Sequence, residues 1–394
     1  MRERKMDQDN QSEYYQHRLS ADILLSSSYL SFVPATKGNT MTAQQLLQQR
    51  LANQQLNNPS FQSPPQLVHW CAAIQAQDYE MSKWAVGMRL PQATSEDIEH
   101  CIATGQLVRT HVLRPTWHLV HPADVRWMLT LTGPAIERLM GTYNRKLELD
   151  DKVFRKSNKI FEKLLAGGKQ LKRTELAAAL DAARIPTNDL RMNFLLIKAE
   201  LDMIICNGGK KDKQITYALF EERVPPAAGK KREEALAMLA LRYFNSHGPA
   251  TLKDFTGWSG LTITAAREGL QSVKAQLAHD TFGGLDYYGP LHSQEITGKR
   301  NEVLLLPNYD EYLVAYKDRE VILSANNARQ LNRDGNPLFS NVILVNGAIA
   351  GTWKRTIKKT DIIMEYTPFT PLSKTIQGGL DKEAMRFKQF TTLK

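Results

Sequence analysis

Apolar residues along the chain keep two rhythms, one helical and one strand-like, and the order in which the rhythms alternate suggests the fold. Leu46, Leu47, Leu51 and Ala52 recur at helical spacing, and after the Asn57-Asn58-Pro59 break Leu67, Cys71 and Ile74 carry the spacing into a second helix. Met81, Trp84, Ala85 and Met88 mark a third, with Asp78 placed to accept the orphan N–H groups of its first turn. Thr94 or Ser95 caps a fourth, which ends at Gly105. Residues 107–113 and 116–120 then read as two β-rich runs joined at Arg114-Pro115. Helices followed by a short hairpin is the order of a winged helix.

That order recurs twice. Thr174 opens a helix to about residue 184, and Asn188 or Asp189 opens another to about residue 202. Residues 203–206 and 214–219 then flank a turn, Gly208-Gly209-Lys210-Lys211-Asp212-Lys213. After a Val224-Pro225-Pro226-Ala227-Ala228-Gly229 linker comes an amphipathic helix over 233–245. Thr251 caps a short helix to Trp258, and Thr262 opens one to about residue 273. Residues 276–280 and 285–288 flank a Gly283-Gly284 hairpin turn. Further on, residues 303–306, 342–345 and 348–353 read as strands, the last two a hairpin around Asn346-Gly347, and a final helix covers 380–390. The predicted fold is α+β and mainly helical: three tandem winged-helix modules and a small C-terminal mixed α/β module. The boundaries fall at 1–40 (an extension), 41–150, 151–224, 230–300 and 301–394.

Composition narrows the function. With 394 residues, 42% hydrophobic and 23% charged, the chain is an ordinary globular protein of two or three domains. The net charge of +10 points to a polyanionic partner, usually nucleic acid and more weakly an anionic membrane surface. Cys71, Cys101 and Cys206 are too few and too far apart for a disulfide framework or a thiolate metal site, and no apolar run reaches the roughly 18 residues of a membrane span. A cytoplasmic location is expected. Residues 1–40 carry five basic and five acidic side chains, so the whole net charge sits in residues 41–394. Lacking both a basic start and a compact apolar run, the segment is a poor secretory signal and reads as a disordered extension ahead of a working start at Met41.

No phosphate loop, Gly-x-Ser-x-Gly elbow, His-Glu-x-x-His or zinc-spaced cysteine pair is present. His111, His118 and His121 read as partly buried hairpin and helix-start histidines, since strand pleating turns His118 away from His121. Asp310, Glu311 and Asp318 read as residues that cap and solvate a helix. Gln75 and Gln77 fall at the junction between the second and third helices. By themselves they are two surface amides at a helix end, yet in extended backbone both reach one cleft, and a carboxamide offers donor and acceptor without any pKa shift.

Several blocks, taken in order, resemble one family. Met41-Thr42-Ala43-Gln44-Gln45-Leu46-Leu47 with Arg50-Leu51-Ala52, then Ala73-Ile74-Gln75-Ala76-Gln77-Asp78-Tyr79 with Trp84-Ala85, look like the start of the AlkZ-like winged-helix family. Val108-Arg109-Thr110-His111-Val112-Leu113-Arg114-Pro115-Thr116-Trp117-His118-Leu119-Val120 is similar to its hairpin block. Leu305-Leu306-Pro307-Asn308-Tyr309-Asp310-Glu311-Tyr312-Leu313 with Asp318-Arg319, and Val345-Asn346-Gly347 with Gly351-Thr352-Trp353-Lys354, resemble its distal blocks, so the match spans about residues 41–360. The resemblance implies three winged helices in a concave, DNA-sized array, and a glycosylase that excises alkylated or crosslinked bases. It implies a catalytic Gln-x-Gln, matched here by Gln75 and Gln77; another branch carries Gln-x-Asp, which this chain does not.

An N7-alkylated purine is cationic and leaves readily, so the expected enzyme is a monofunctional hydrolase that uses no cofactor and no metal. Duplex DNA is the expected partner. Its phosphates fall to Arg109 and Arg114 near the first hairpin, Lys210, Lys211 and Lys213 on the second, and Lys354 and Arg355 in the C-terminal module, with Lys230-Lys231-Arg232, Lys358 and Lys359 as further basic clusters. Trp84 and Trp117 read as core rather than as stacking platforms. The alternative is a non-catalytic winged-helix DNA-binding protein or transcription regulator. A regulator reads palindromes as a dimer, whereas three differing modules in one chain suit a monomer.

Overall fold

Capping chemistry sets where the helices start. In the computed structural model, which describes residues 41–292, 302–331, 337–359 and 361–391, Thr42 closes a capping box with Gln45 at the head of α1 (Ala43–Asn53). The extension expected over residues 1–40 lies outside the described residues. Helix α2 (Pro64–Cys71) is shorter than its apolar spacing predicts: Ala72 takes a positive φ of 63°, and the chain leaves as strand β1 (Ala73–Gln75). Asp78 caps α3 (Tyr79–Gly87) as expected, accepting the Met81 N–H at 3.0 Å. Thr94 and Asp97 bond each other reciprocally at the start of α4 (Ser95–Thr104), which ends at Gly105, φ 81°. The hairpin expected next is β2 (Val108–His111) and its neighbour β3 (Trp117–Val120).

The chain groups into two compact units. One comprises Ile102–His118 and Pro122–Gly229. It contains two helices that the apolar pattern did not single out, α5 (Pro122–Lys146) and α6 (Asp151–Leu165), the latter capped by Asp150. Strand β4 (Leu171–Lys172), α7 (Arg173–Ala182), α8 (Arg191–Leu201), β5 (Ile205–Lys211) and β6 (Gln214–Leu219) follow, with β6 central in an antiparallel sheet ordered β4-β6-β5. The six-residue turn expected from Gly208 is a finding against the sequence reading. Residues 208–211 stay in β5 through a shift of register between Asn207 and Lys210, and only Asp212 and Lys213 turn, at φ 50° and 64°. Gly208 serves close approach instead, since a Cβ there would stand 2.5 Å from Gln170 Oε1 and Thr216 Oγ1. Phe161, Leu165, Leu180, Leu195, Ile205 and Phe220 form the buried interior.

The other unit comprises residues 41–101, Leu119–His121 and the chain from Lys230 onward. Helix α9 (Arg232–His247) precedes α10 (Leu252–Ser259) and α11 (Ile263–Val273), whose caps are Thr251 and Thr262 as read from the sequence. Strands β7 (Leu277–Phe282) and β8 (Leu285–Pro290) turn at Gly283 and Gly284, φ 57° and 78°, and Ala250 bridges to Tyr288. Strands β9 (Val303–Leu306), β10 (Val342–Val345), β11 (Ala348–Ile357) and β12 (Ile362–Pro368) form an antiparallel sheet ordered β12-β11-β10-β9. Strand β12 was not foreseen, and β11 runs past the expected residue 353. The last helix, α12 (Lys374–Thr391), starts earlier than residue 380 and lays Phe387 and Phe390 against Trp84 at 5.1 and 5.2 Å. Trp84 is core, as expected; its Nε1 donates to the Leu305 carbonyl at 2.8 Å, tying α3 to β9. No helix among the described residues is long and apolar enough to cross a membrane.

Candidate active site

Gln75 closes β1 and Gln77 stands directly before the cap of α3, so both lie in non-helical backbone between two regular elements. They are not surface amides: Gln75 is 6% exposed and Gln77 3%. The Gln75 backbone N–H donates to Glu311 Oε1 at 2.6 Å, joining positions 236 apart in sequence. The other carboxylate oxygen of Glu311 accepts Trp258 Nε1 at 2.8 Å, and His247 Nε2 lies 3.3 Å from it. Asp78 adds a weaker tie on the far side of the motif, its Oδ2 accepting from Asn308 Nδ2 at 3.4 Å.

Asp310 and Glu311 open a single helical turn, Glu311–Val314, and Asp310 does cap it through the Tyr312 N–H. The expectation that the pair is solvated is corrected, since both are buried at 0% and 1% exposed. The reason is charge pairing. Asp310 takes one N–H from each terminal nitrogen of Arg89, both at 2.8 Å. The remaining Arg89 donors reach the carbonyls of Ala85 and Gln54 and the Gln54 side chain. Gln54 Nε2 in turn donates to the Tyr316 hydroxyl, which donates to the His247 carbonyl. The end of α1, the end of α3, the end of α9 and the Glu311 turn are thus held by one polar network around the glutamine junction. Asp318 is exposed, as expected.

Burial pushes the Cys71 thiol up to about 12, so it stays neutral and is no nucleophile. Burial also lowers the Arg355 guanidinium from its ordinary value, with Asp78 and Glu80 working against the shift.

The basic residues divide into two kinds. Arg109 is 3% exposed; its guanidinium donates to Asn207 Oδ1 and lies 4.3 Å from the centre of the Trp117 ring. Arg114 is 6% exposed, with Nη2 3.3 Å from His118 Nε2. Both are buried within their unit, unlike the exposed surface charges that the sequence suggests. Lys210, Lys211 and Lys213 are exposed at the β5–β6 turn, where Lys211 lies 4.0 Å from Glu175 and Lys172 pairs with Asp212 at 2.7 Å. Lys354 is exposed on β11, and the half-buried Arg355 next to it lies 5.9 Å from the centre of the Phe387 ring. His111 and His118 are fully buried, His111 Nδ1 resting 2.6 Å from Glu200 Oε2 and His118 Nδ1 2.9 Å from the Thr116 carbonyl.

Sequence reasoning missed Arg89, Glu311 and Trp258. A signal was there: Arg89 sits between Met88 and Leu90, and Asp310-Glu311 runs straight into Tyr312-Leu313-Val314, a setting in which a charge must find a partner or a donor inside the fold. Nothing in one-dimensional spacing says which partner.

Two buried carboxamides thus stand at the junction of β1 and α3, and exposed lysines stand at the β5–β6 turn of one unit and on β11 of the other. The family profile described as DNA glycosylase AlkZ-like matches residues 68–390, and the chain belongs to that family. It is 24% identical over 356 residues to the Interstrand DNA cross-link repair glycosylase of Streptomyces sahachiroi, an alignment covering 85% of this chain and 92% of that one. The solved structure of Streptomyces sahachiroi DNA glycosylase AlkZ superposes with a TM-score of 0.74 at 21% identity, over 89% of this chain and 97% of that one. The two share a fold.

Proposed function

We propose that this chain hydrolyses the N-glycosidic bond of N7-alkylated purines in duplex DNA, including purines crosslinked between strands, with Gln75 and Gln77 as its catalytic side chains. The observation that carries this reading is the Gln75-Ala76-Gln77 junction: two buried carboxamides, one of them anchored by its backbone to Glu311, in a chain of a DNA glycosylase family. The crosslink-repair name borne by the Streptomyces relative supports a bulky or crosslinked substrate.

The chemistry asks for little acid or base. In an N7-alkylated purine the leaving group is already cationic, so breaking C1′–N9 returns an electron pair to N9 and neutralises the base. The sugar becomes oxocarbenium-like, and a water oxygen then bonds to C1′ while its proton passes to solvent, leaving an abasic site and a free base. A carboxamide oxygen can accept from that water, and a carboxamide NH2 can donate to the sugar–phosphate. Orienting water and sugar in this way contributes about 2–4 kcal/mol. Ordinary glycoside hydrolysis, with a poor leaving group, needs two carboxylates instead.

For DNA binding, the run from α6 to β6 and the run from α9 to β8 share one order: helix, short strand or bridge, two helices, two strands. This supports reading both as winged helices, with the β2–β3 hairpin as the wing of a third. Phosphate contacts are assigned to Lys210, Lys211, Lys213, Lys354 and Arg355, all at least partly accessible.

The test incubates the purified chain with one duplex bearing a single N7-methylguanine and another bearing an N7-purine interstrand crosslink, and scores free base and alkali-labile sites. Release of base is expected. Tight duplex binding with no release from either substrate would leave a non-catalytic DNA-binding protein.

A further inference from the structure

Glu311 is the group on which the two halves of the site meet. It is 1% exposed; one oxygen accepts from the Gln75 N–H at 2.6 Å and the other from Trp258 Nε1 at 2.8 Å. The helical turn it opens does not need it as a cap, because Asp310 supplies that bond to the Tyr312 N–H. Burying a carboxylate is costly, and two N–H donors can be satisfied by less costly groups. The side chain is therefore better explained by what it holds. Its grip on the glutamine motif is through the Gln75 backbone N–H. Its own direction is fixed from behind by the indole of Trp258 on α10 and by His247, 3.3 Å away at the end of α9. The indole of Trp258 and the ring of His247 also pack at 5.2 Å, which limits how far the carboxylate can swing.

We propose that Glu311 is the positioning residue of the glycosylase site, fixing through the Gln75 N–H where the Gln75 and Gln77 carboxamides stand against the attacked sugar. The inference rests on the assignment of those two glutamines above. Positioned catalysis is sensitive to small displacements, a shift of about 1 Å costing on the order of 10²-fold in rate.

The experiment measures single-turnover base excision at saturating full-length protein, and separately the affinity for undamaged duplex. The substrate is a duplex with one N7-methylguanine. Glu311→Gln keeps the size but sets an amide NH2 where one of the two N–H donors now finds an oxygen. Glu311→Asp keeps the charge and withdraws it by one methylene, which serves if the Gln variant does not fold. The excision rate should fall about 10-fold or more in either folded variant, while duplex affinity stays within about 2-fold because no DNA contact is touched. A merely structural role would instead lower excision and binding together, in step with the folded fraction, and that overturns the proposal. If Gln75→Ala abolishes excision while both Glu311 variants keep the wild-type rate, the positioning role falls and the motif assignment stands. If Gln75→Ala is fully active, or the wild type releases no base, both fall.

Discussion

Arg89→Met tests the polar network under the site. Arg89 is fully buried and its guanidinium makes five hydrogen bonds: two to Asp310, one each to the Ala85 and Gln54 carbonyls, and one to the Gln54 side chain. Methionine fills much of the space of the arginine stem but offers no donor. Asp310, itself 0% exposed, keeps only the Tyr312 N–H that caps its helical turn among these bonds. Removing one partner of a buried pair costs about 3–5 kcal/mol, because the survivor is neither paired nor hydrated. That is a large share of a total stability of about 5–15 kcal/mol. Arg89→Met combined with Asp310→Leu removes both charges and should recover most of the loss, since apolar replacement of an intact buried pair is close to neutral. Denaturant unfolding followed by tryptophan fluorescence suits the question, because Trp84 and Trp258 lie in the same unit as the pair and report its transition. A loss below about 1 kcal/mol for Arg89→Met, or a double variant no more stable than the single, would refute the reasoning.

Three further outcomes follow from the burial or exposure of charged groups. Burial raises the Glu383 carboxyl above its ordinary value, and Arg386, 3.6 Å away, offsets only part of this. The native state therefore binds this proton more readily than the unfolded chain, so its contribution improves as pH falls through the raised native value and is unfavourable above it. Glu383→Gln should raise Tm at pH 7 and flatten that pH dependence on acidification; an unchanged or lower Tm at pH 7 contradicts the assignment. Arg109→Ala should cost about 2 kcal/mol of stability through its lost contacts to Asn207 and Trp117. Lys211→Glu should leave stability alone and flatten the salt dependence of duplex affinity by about one unit. The opposite pattern in thermal melts and salt titrations would put Arg109, not Lys211, on the DNA.

What was legible in the chain is what local physics dictates. Asp78, Thr251 and Thr262 announce helix starts because a short acceptor side chain just before an apolar run has one good use, and all three cap as read. Gly283-Gly284 and Asn346-Gly347 announce hairpins because both need positive φ. Gly208-Gly209 misled for the same reason: glycine marks close approach as well as turns, and the bulge uses it for packing. Helices α5 and α6 fall between the first expected hairpin and the helix expected from Thr174, a stretch outside the helix–hairpin order that the apolar rhythm suggests. The motif residues Gln75 and Gln77 were found through resemblance; apolar spacing places them between two helices, whereas Gln75 closes a strand and Gln77 precedes the cap of α3. Their burial was not legible, because a group that meets the motif, Glu311, stands 236 positions away in the chain. Likewise Arg109 looked like a surface charge until Asn207 and Trp117 came beside it.

The central claim is that the two carboxamides do the chemistry, and single-turnover excision by wild type, Gln75→Ala and Gln77→Ala on an N7-methylguanine duplex tests it most directly. Because both side chains are buried, each variant is first shown to melt cooperatively and to bind undamaged duplex like the wild type. The account predicts that the folded variants lose about 10²-fold or more in excision rate, the size expected for one lost positioned group. Wild-type excision by a folded Gln75→Ala/Gln77→Ala double variant would contradict it, and would move the catalytic groups to another part of the molecule.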